Sequence, residues 1–304
     1  MRSGHEVTLF ATADSETSGT LVATSPRGWS EDPTVEPKVA ECVHIAEAFE
    51  RAGEFDVIHN SFDFLPLTYS RLVRTPVVTT IHGFSSARIV PVYERYNHSV
   101  AYVAISDADR HPRLSYAATI HHGIDSDTFS VSPDPSDYLL FFGRIHPDKG
   151  TAHAIEVARA AGRPLVIAGI IQDEEYFRDR IAPHVDDEWV RFVGPVGGDE
   201  RLRLLADAHA LLHLVDFDEP FGFSVVEALA SGTPVIANKR GSMPEIIDHG
   251  ITGFLVAGAA EAVDAVRQVG TLVRPAIRSS AVERFDVTRM VERYVQVYES
   301  LLGR

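Results

Sequence analysis

The chain has 304 residues, about twice a typical single-domain length, and is 45% hydrophobic and 23% charged, with 21 Gly and 17 Pro. These values exclude a disordered, collagen-like or coiled-coil protein and point to two α/β domains or one large one. Lys and Arg number 28 against 43 Asp and Glu, a net charge of −15 that excludes a general nucleic-acid binder, and the single cysteine, Cys42, excludes an intrachain disulfide or a cysteine zinc cage. A reducing, cytoplasmic setting follows as the expectation. No apolar run approaches the roughly 18 residues that cross a bilayer, and Met1-Arg2-Ser3-Gly4-His5-Glu6 has no signal-peptide core.

Glu6 to Ala11 already reads as a strand, so the chain begins as though in mid-fold. Asp14 to Pro37 is rich in Gly, Ser, Pro and Thr without apolar period and reads as a loop. Residues 38–52 place Val39, Val43, Ala46 and Phe49 at helical spacing. Short apolar strands follow at Asp56 to His59, Pro76 to His82, Ala101 to Ser106 and Ala118 to His122, each separated by enough chain for a crossover.

Asp125 to Asp137, DSDTFSVSPDPSD, reads as a linker. Beyond it, strands are expected at Tyr138 to Phe142, Leu165 to Ala168, Trp189 to Val193, Leu211 to Val215, Pro234 to Ala237 and Phe254 to Val256. Helices are expected at 151–161 and 223–231 between them. Six strands in βα order predict a complete doubly wound domain. The expected boundaries are a first domain at 1–124, the linker at 125–137, a second domain at 138–284 and a terminal helix at 285–304. In that helix Val287, Met290, Val291, Tyr294, Val297, Tyr298 and Leu301 share a face.

Open α/β sheets bind ligands outside the carboxyl ends of their strands, so the chemistry is sought there. Phe142-Gly143-Arg144-Ile145-His146-Pro147-Asp148-Lys149-Gly150 ends a strand in a turn with Arg144 and Lys149 five residues apart. A guanidinium fork and an ammonium beside flexible glycine suit a phosphate or diphosphate, although a solvated loop reads the same way. The turn matches neither a Walker loop nor a dinucleotide fingerprint.

In Asp218 to Pro234, DEPFGFSVVEALASGTP, a loop enters a helix whose free N–H groups near Gly222 to Ser224 face an anion. Glu219 and Glu227 flank that helix start. They do not suit the acid and base of a glycoside hydrolase, which stand roughly 5 to 9.5 Å apart. Eight helical steps separate backbones by roughly 12 Å, a spacing for two hydroxylated ends of one long ligand with its anionic middle on the helix N-terminus. The competing reading makes them a loop carboxylate and a solvent-facing helix residue. Thr79-Thr80-Ile81-His82-Gly83-Phe84 ends a first-half strand in a histidine that either approaches a substrate or packs internally. His121-His122-Gly123-Ile124-Asp125 forms a further histidine pair, and neither cluster has zincin spacing, so no metal site is expected.

TTIHGF, HHGID, GRIHPDKG, DEPFGFSVVEALASGTPVIA and KRGSMPEIIDHGITGFLV, in this order, closely resemble the retaining nucleotide-sugar glycosyltransferases of family 4. The resemblance runs from Gly4 to the last helix. It implies the GT-B fold, two Rossmann-like doubly wound domains facing each other across a cleft, with the terminal helix crossing back to the first and HHGID near the hinge. It implies a hexose donor that is a nucleotide-diphosphate sugar, with no cofactor and no metal. Arg144 and Lys149 would hold the diphosphate, Glu219 the transferred sugar and Glu227 the ribose hydroxyls. The amides of Phe221, Gly222, Phe223 and Ser224 would lie against sugar and phosphate, Val193 and Gly194 would meet the base, and His82 would reach towards the sugar. The resemblance also implies that a strand and Gly-rich turn precede residue 1, leaving the first domain incomplete here. An active transferase and a truncated or repurposed protein that binds a nucleotide sugar without efficient transfer are both compatible with the motifs. A nucleotide-sugar epimerase is a third reading. The acceptor is open among sugars, lipids and small molecules, and peripheral membrane attachment and homo-oligomer formation are left open.

Overall fold

In the computed structural model, residues 4–32 and 34–304 are described. The chain divides into two units. The first holds residues up to Val103, Pro112–Ala117 and Val297–Arg304, and the second holds Ala104–His111 and Ala118–Gln296.

The first unit opens with β1 (Thr8–Phe10), parallel to β2 (Thr20–Val22) in a sheet of two strands. β2 corrects the loop expected over Asp14 to Pro37: a Thr-Leu-Val triplet too short and too exposed to carry an alternating pattern still pairs along β1. Helix α1 (Pro37–Glu50) starts with proline at its first position, where the missing N–H costs nothing, and buries Ile45 and Phe49. Strands β3 (Ile58–Asn60), β4 (Val77–Ile81), β5 (Ala101–Ala104) and β6 (Tyr116–Thr119) form a separate sheet in that order, and α2 (Val90–Tyr96) lies between β4 and β5 in sequence. Every residue of β4 is buried, as a strand covered on both faces requires. The core of this unit gathers Ile45, Phe49, Leu67, Val77, Ile81, Tyr93 and Tyr102.

The second unit is one parallel sheet of β7 (Leu139–Phe142), β8 (Leu165–Ala168), β9 (Val190–Gly194), β10 (Ala210–His213), β11 (Val235–Asn238) and β12 (Gly253–Val256). Their spatial order, β12-β11-β10-β7-β8-β9, is doubly wound, with the reversal between β7 and β10. All six strands predicted for this half are present. Helices α3 (Thr151–Ala161), α4 (Glu174–Tyr176), α5 (Gly198–Asp207), α6 (Phe223–Ala230), α7 (Met243–Ile246), α8 (Ala259–Gln268) and α9 (Arg274–Phe285) follow, and α10 (Val287–Leu301) ends the chain. Two apolar clusters cover the sheet. One is built on Leu140, Val166, Leu211 and Val235, the other on Leu139, Ile167, Leu212 and Ile236, as successive residues of each strand point to opposite faces.

The segment read as a linker is tied into the second unit. Ser126 and Phe129 are buried, Phe129 packs in the first of those clusters, and the Ser136 amide bonds to the Asp207 carbonyl. A lone aromatic in an Asp-, Ser- and Pro-rich run gives no period, so its burial is invisible to a pattern search. In the same unit Glu245 accepts hydrogen bonds from the amides of Asp107 and Ala108 at 2.9 and 2.7 Å, and lies 3.0 Å from His121 Nε2. Arg284 binds the Glu245 carbonyl.

Candidate functional site

At the carboxyl edge of the second sheet, beside the β7–β10 reversal, lies a cavity of about 200 Å³. Its charged and polar lining comes from the ends of β7 and β10 and from the loops after them: Arg144, Lys149, His213, Glu219 and Ser224. Gly143, Gly222 and Phe223 also line it. The expected phosphate turn and the expected helix start therefore meet at one place.

Each of these side chains is positioned by its local backbone. After β7 the chain makes a short 3-10 turn over Pro147–Lys149, which His146 caps by accepting from the Asp148 amide. The Asp216 amide bonds to the Asp148 carbonyl at 2.9 Å and joins this turn to the loop after β10. That loop is held in turn by Ser242, whose amide donates to the Glu219 carbonyl at 2.9 Å and whose hydroxyl donates to the Phe221 carbonyl at 2.8 Å. Gly241 makes the approach possible. At φ +54°, an added Cβ would lie 2.5 Å from Glu219 N and 2.6 Å from its O, closer than real Cβ atoms come.

Lys149 Nζ lies 2.6 Å from Glu219 Oε2, with side chains 15% and 14% exposed, and 4.6 Å from the centre of the Phe217 ring. Arg144 is exposed and donates to Gln172 Oε1 at 2.5 Å. Helix α6 begins after Gly222, which has no side chain to cap it, and the amides of Val225 and Val226 already bond to the Gly222 carbonyl. The first two amides of the helix, Phe223 and Ser224, thus have no intrahelical acceptor and carry the positive end of the dipole into the cavity.

The other predicted residues are placed as follows. Phe221 is buried under the site, its ring 5.4 Å from that of Phe223 and 5.1 Å from that of His122. His122 stacks on Phe223 at 4.8 Å. Glu227, in the second turn of α6, pairs with Arg201 of α5 at 2.6 Å, and is not among the residues lining the cavity. Burial pushes its carboxyl up from the usual carboxylate range, and Arg201 partly opposes this. Val193 and Gly194 close β9 and lie outside the cavity lining. They are joined to it through the sheet: the Gly169 amide bonds to the Gly194 carbonyl, and a Cβ on Gly169 would fall 1.7 Å from the Gly143 carbonyl oxygen. His82 belongs to the first unit, exposed just beyond β4, and desolvation lowers its imidazole pKa.

Three residues escape sequence reasoning. Arg201 and Gln172 sit in polar stretches with nothing to mark them. His213 is buried at 6% exposure, and its Nε2 stands 3.7 Å from Glu219 Oε2. Burial drives its imidazole down to about 4, against the pull of Glu219 and with help from Lys149. A histidine interrupting the apolar run Ala210 to Val215 is the signal that was there to read. Among the described residues, no group of three or more His, Cys, Asp or Glu side chains is placed to hold a metal ion. No helix among them is long and apolar enough to cross a membrane.

Residues 125–274 match the family model for glycosyl transferases group 1. The chain is 26% identical over 284 residues to the phosphatidyl-myo-inositol mannosyltransferase of Mycobacterium leprae, covering 82% of this chain and 74% of that one. It is 28% identical over 256 residues to glycogen synthase of Mycobacterium tuberculosis, covering 71% of this chain but only 61% of that enzyme. Among solved structures, AviGT4, a glycosyltransferase involved in avilamycin A biosynthesis, superposes with a TM-score of 0.76 at 27% identity, over 99% of this chain and 86% of its own. Anabaena Alr3699/HepE, solved with UDP and glucose, shares the fold with a TM-score of 0.73 at 20% identity, over 93% of this chain and 86% of its own. The fold is the GT-B fold of these glycosyltransferases, and the match to the group 1 family model lies in the unit that holds the cavity.

Proposed function

We propose that the chain is a retaining, metal-independent hexosyltransferase that uses a nucleotide-diphosphate sugar. The observation that carries this reading is the convergence of Arg144, Lys149 and the uncapped N-terminus of α6 on one cavity, with Glu219 beside them. Two cations and a helix dipole suit a diphosphate, and the Glu219 carboxylate suits sugar hydroxyls as an acceptor of their hydrogen bonds. Support for the donor class comes from the neighbouring fold solved with UDP and glucose.

In the proposed reaction the bond from the anomeric carbon to the leaving phosphate oxygen breaks, and a bond to the acceptor oxygen forms on the same face. The acceptor hydroxyl gives its proton to the departing phosphate, so no protein base is required. Arg144, Lys149 and the amides of Phe223 and Ser224 stabilise the charge that builds on that phosphate, in place before the reaction starts. Glu227 is assigned to the ribose hydroxyls. Val193 and Gly194 are assigned to the base, and His82 of the first unit to the sugar. The setting proposed is the cytoplasm, where nucleotide sugars are the donors, and the acceptor supplies a hydroxyl.

The test is a panel of UDP-, GDP- and ADP-sugars, scored by thermal shift and by nucleotide release with simple glycoside and lipid acceptors, in the presence of EDTA. A rise in melting temperature that Lys149→Ala and Glu219→Ala both weaken, with an anomer-retained product by NMR, supports the proposal. No shift with any donor overturns it, and shift without release leaves a binding protein.

A further inference from the structure

Lys149 serves two masters in the proposed reaction. Its ammonium is held by Glu219 Oε2 at 2.6 Å, yet it is also assigned to the diphosphate. If it turns to the phosphate, the Glu219 oxygen loses its charged partner inside a largely buried site, where a bare carboxylate is strongly disfavoured. A replacement donor would have to lie within reach of that same oxygen.

His213 fits this need on three counts. It ends the central strand β10, where its backbone is paired with Ala237 of β11. Its Nε2 is buried without a hydrogen-bond partner among the described residues, which is rare for a polar atom in a folded interior and marks one kept for a purpose. It faces Glu219 Oε2 at 3.7 Å, too long for a hydrogen bond and short enough that a small rotation of the carboxylate closes the gap. Because burial keeps the ring neutral, it offers one N–H without adding a charge that would compete with Lys149 for the phosphate. A lone pair on Nε2 would face a carboxylate, so the tautomer with the proton on Nε2 is the one this geometry favours.

We infer that His213 is a positioning residue that takes over the Glu219 carboxylate from Lys149 when the lysine turns to the donor diphosphate, holding Glu219 in place for the sugar. The inference rests on the reading of the site given above. It separates two parts of the ligand: the nucleotide diphosphate needs Lys149 but not His213, whereas the sugar needs Glu219 held by His213.

Calorimetric titration of the full chain with UDP, GDP and ADP and with UDP-glucose, GDP-mannose and ADP-glucose tests it. His213→Phe and His213→Met both remove the donor, and His213→Gln returns an N–H close to the Nε2 position. The expected result is unchanged affinity for the nucleoside diphosphate, within about twofold, in all three variants. For the matching nucleotide sugar, tenfold weaker binding is expected in His213→Phe and His213→Met, restored to within about threefold by His213→Gln. Circular dichroism and melting identify any variant that fails to fold, and the other donor-free variant then carries the test. Equal nucleotide-sugar affinity in the parent and a folded donor-free variant overturns the inference alone, as does equal weakening of diphosphate and sugar conjugate. Failure of the parent to bind any of the six overturns the functional reading and this inference with it.

Discussion

Replacing Lys149 with methionine keeps most of the aliphatic stem and deletes the ammonium, leaving Glu219 facing a buried neutral histidine. The size of the effect follows from where the pair sits. An exposed pair contributes about 0.2–1 kcal/mol, and stripping one partner from a fully buried pair costs about 3–5 kcal/mol. With side chains 15% and 14% exposed and 2.6 Å between charged atoms, this pair lies nearer the buried limit. Lys149→Met is therefore expected to destabilise the second unit by about 2–3 kcal/mol. Adding Glu219→Gln removes the stranded charge, so the double variant should recover about half the loss, about 1–1.5 kcal/mol, and the coupling in the double-mutant cycle exceeds that figure by the cost of Glu219→Gln alone. The assay uses the two tryptophans, Trp29 in the first unit and Trp189 in the second. In a Trp29→Phe background, urea unfolding followed by fluorescence reports the second unit. A coupling below about 0.5 kcal/mol, the range of exposed pairs, would refute the reasoning.

Gly241→Ala drives a Cβ into the backbone of Glu219 at positive φ, and should cost about 2 kcal/mol or more while weakening nucleotide-sugar binding, read by urea unfolding and calorimetry. His213 has its imidazole lowered to about 4 in the folded state, so between about pH 6.5 and 4 the unfolded chain takes up a proton that the folded chain refuses. Stability is expected to fall across that window as pH is lowered, by roughly 2–3 kcal/mol from this group, and less steeply in His213→Met when both are unfolded in urea at each pH. Arg201→Met leaves the largely buried Glu227 carboxyl without its more exposed cation; a loss of about 1–2 kcal/mol is expected, with much of it returned by Glu227→Gln, read by thermal melting.

The second sheet is legible because its strands are covered on both faces and so are written as short, nearly continuous apolar runs, LLFF, LVIA and VIAN among them. The turn after β7 and the start of α6 are legible as strand ends because their glycines and prolines break the apolar runs before them. What stays hidden depends on the third dimension. Phe129 gives no period, and β2 is only three residues long. Arg201 becomes part of the site's surroundings only because α5 packs beside α6, which brings it to Glu227 across 26 positions of sequence. His213 looks like an imperfection in an apolar run until the loop after β10 folds back and brings Glu219 over it.

The carboxylate of Glu245 receives the amides of Asp107 and Ala108 and stands against His121. It works as a clasp: one side chain on α7 closes the loop between Asp107 and His121 at both ends. Closing a loop costs entropy that grows only slowly with its length, and here one fastening meets that cost for two stretches of chain. The stretch between carries β6 and the buried Leu114 and Ile120, so residues that belong to a core lie on a segment fastened at both ends.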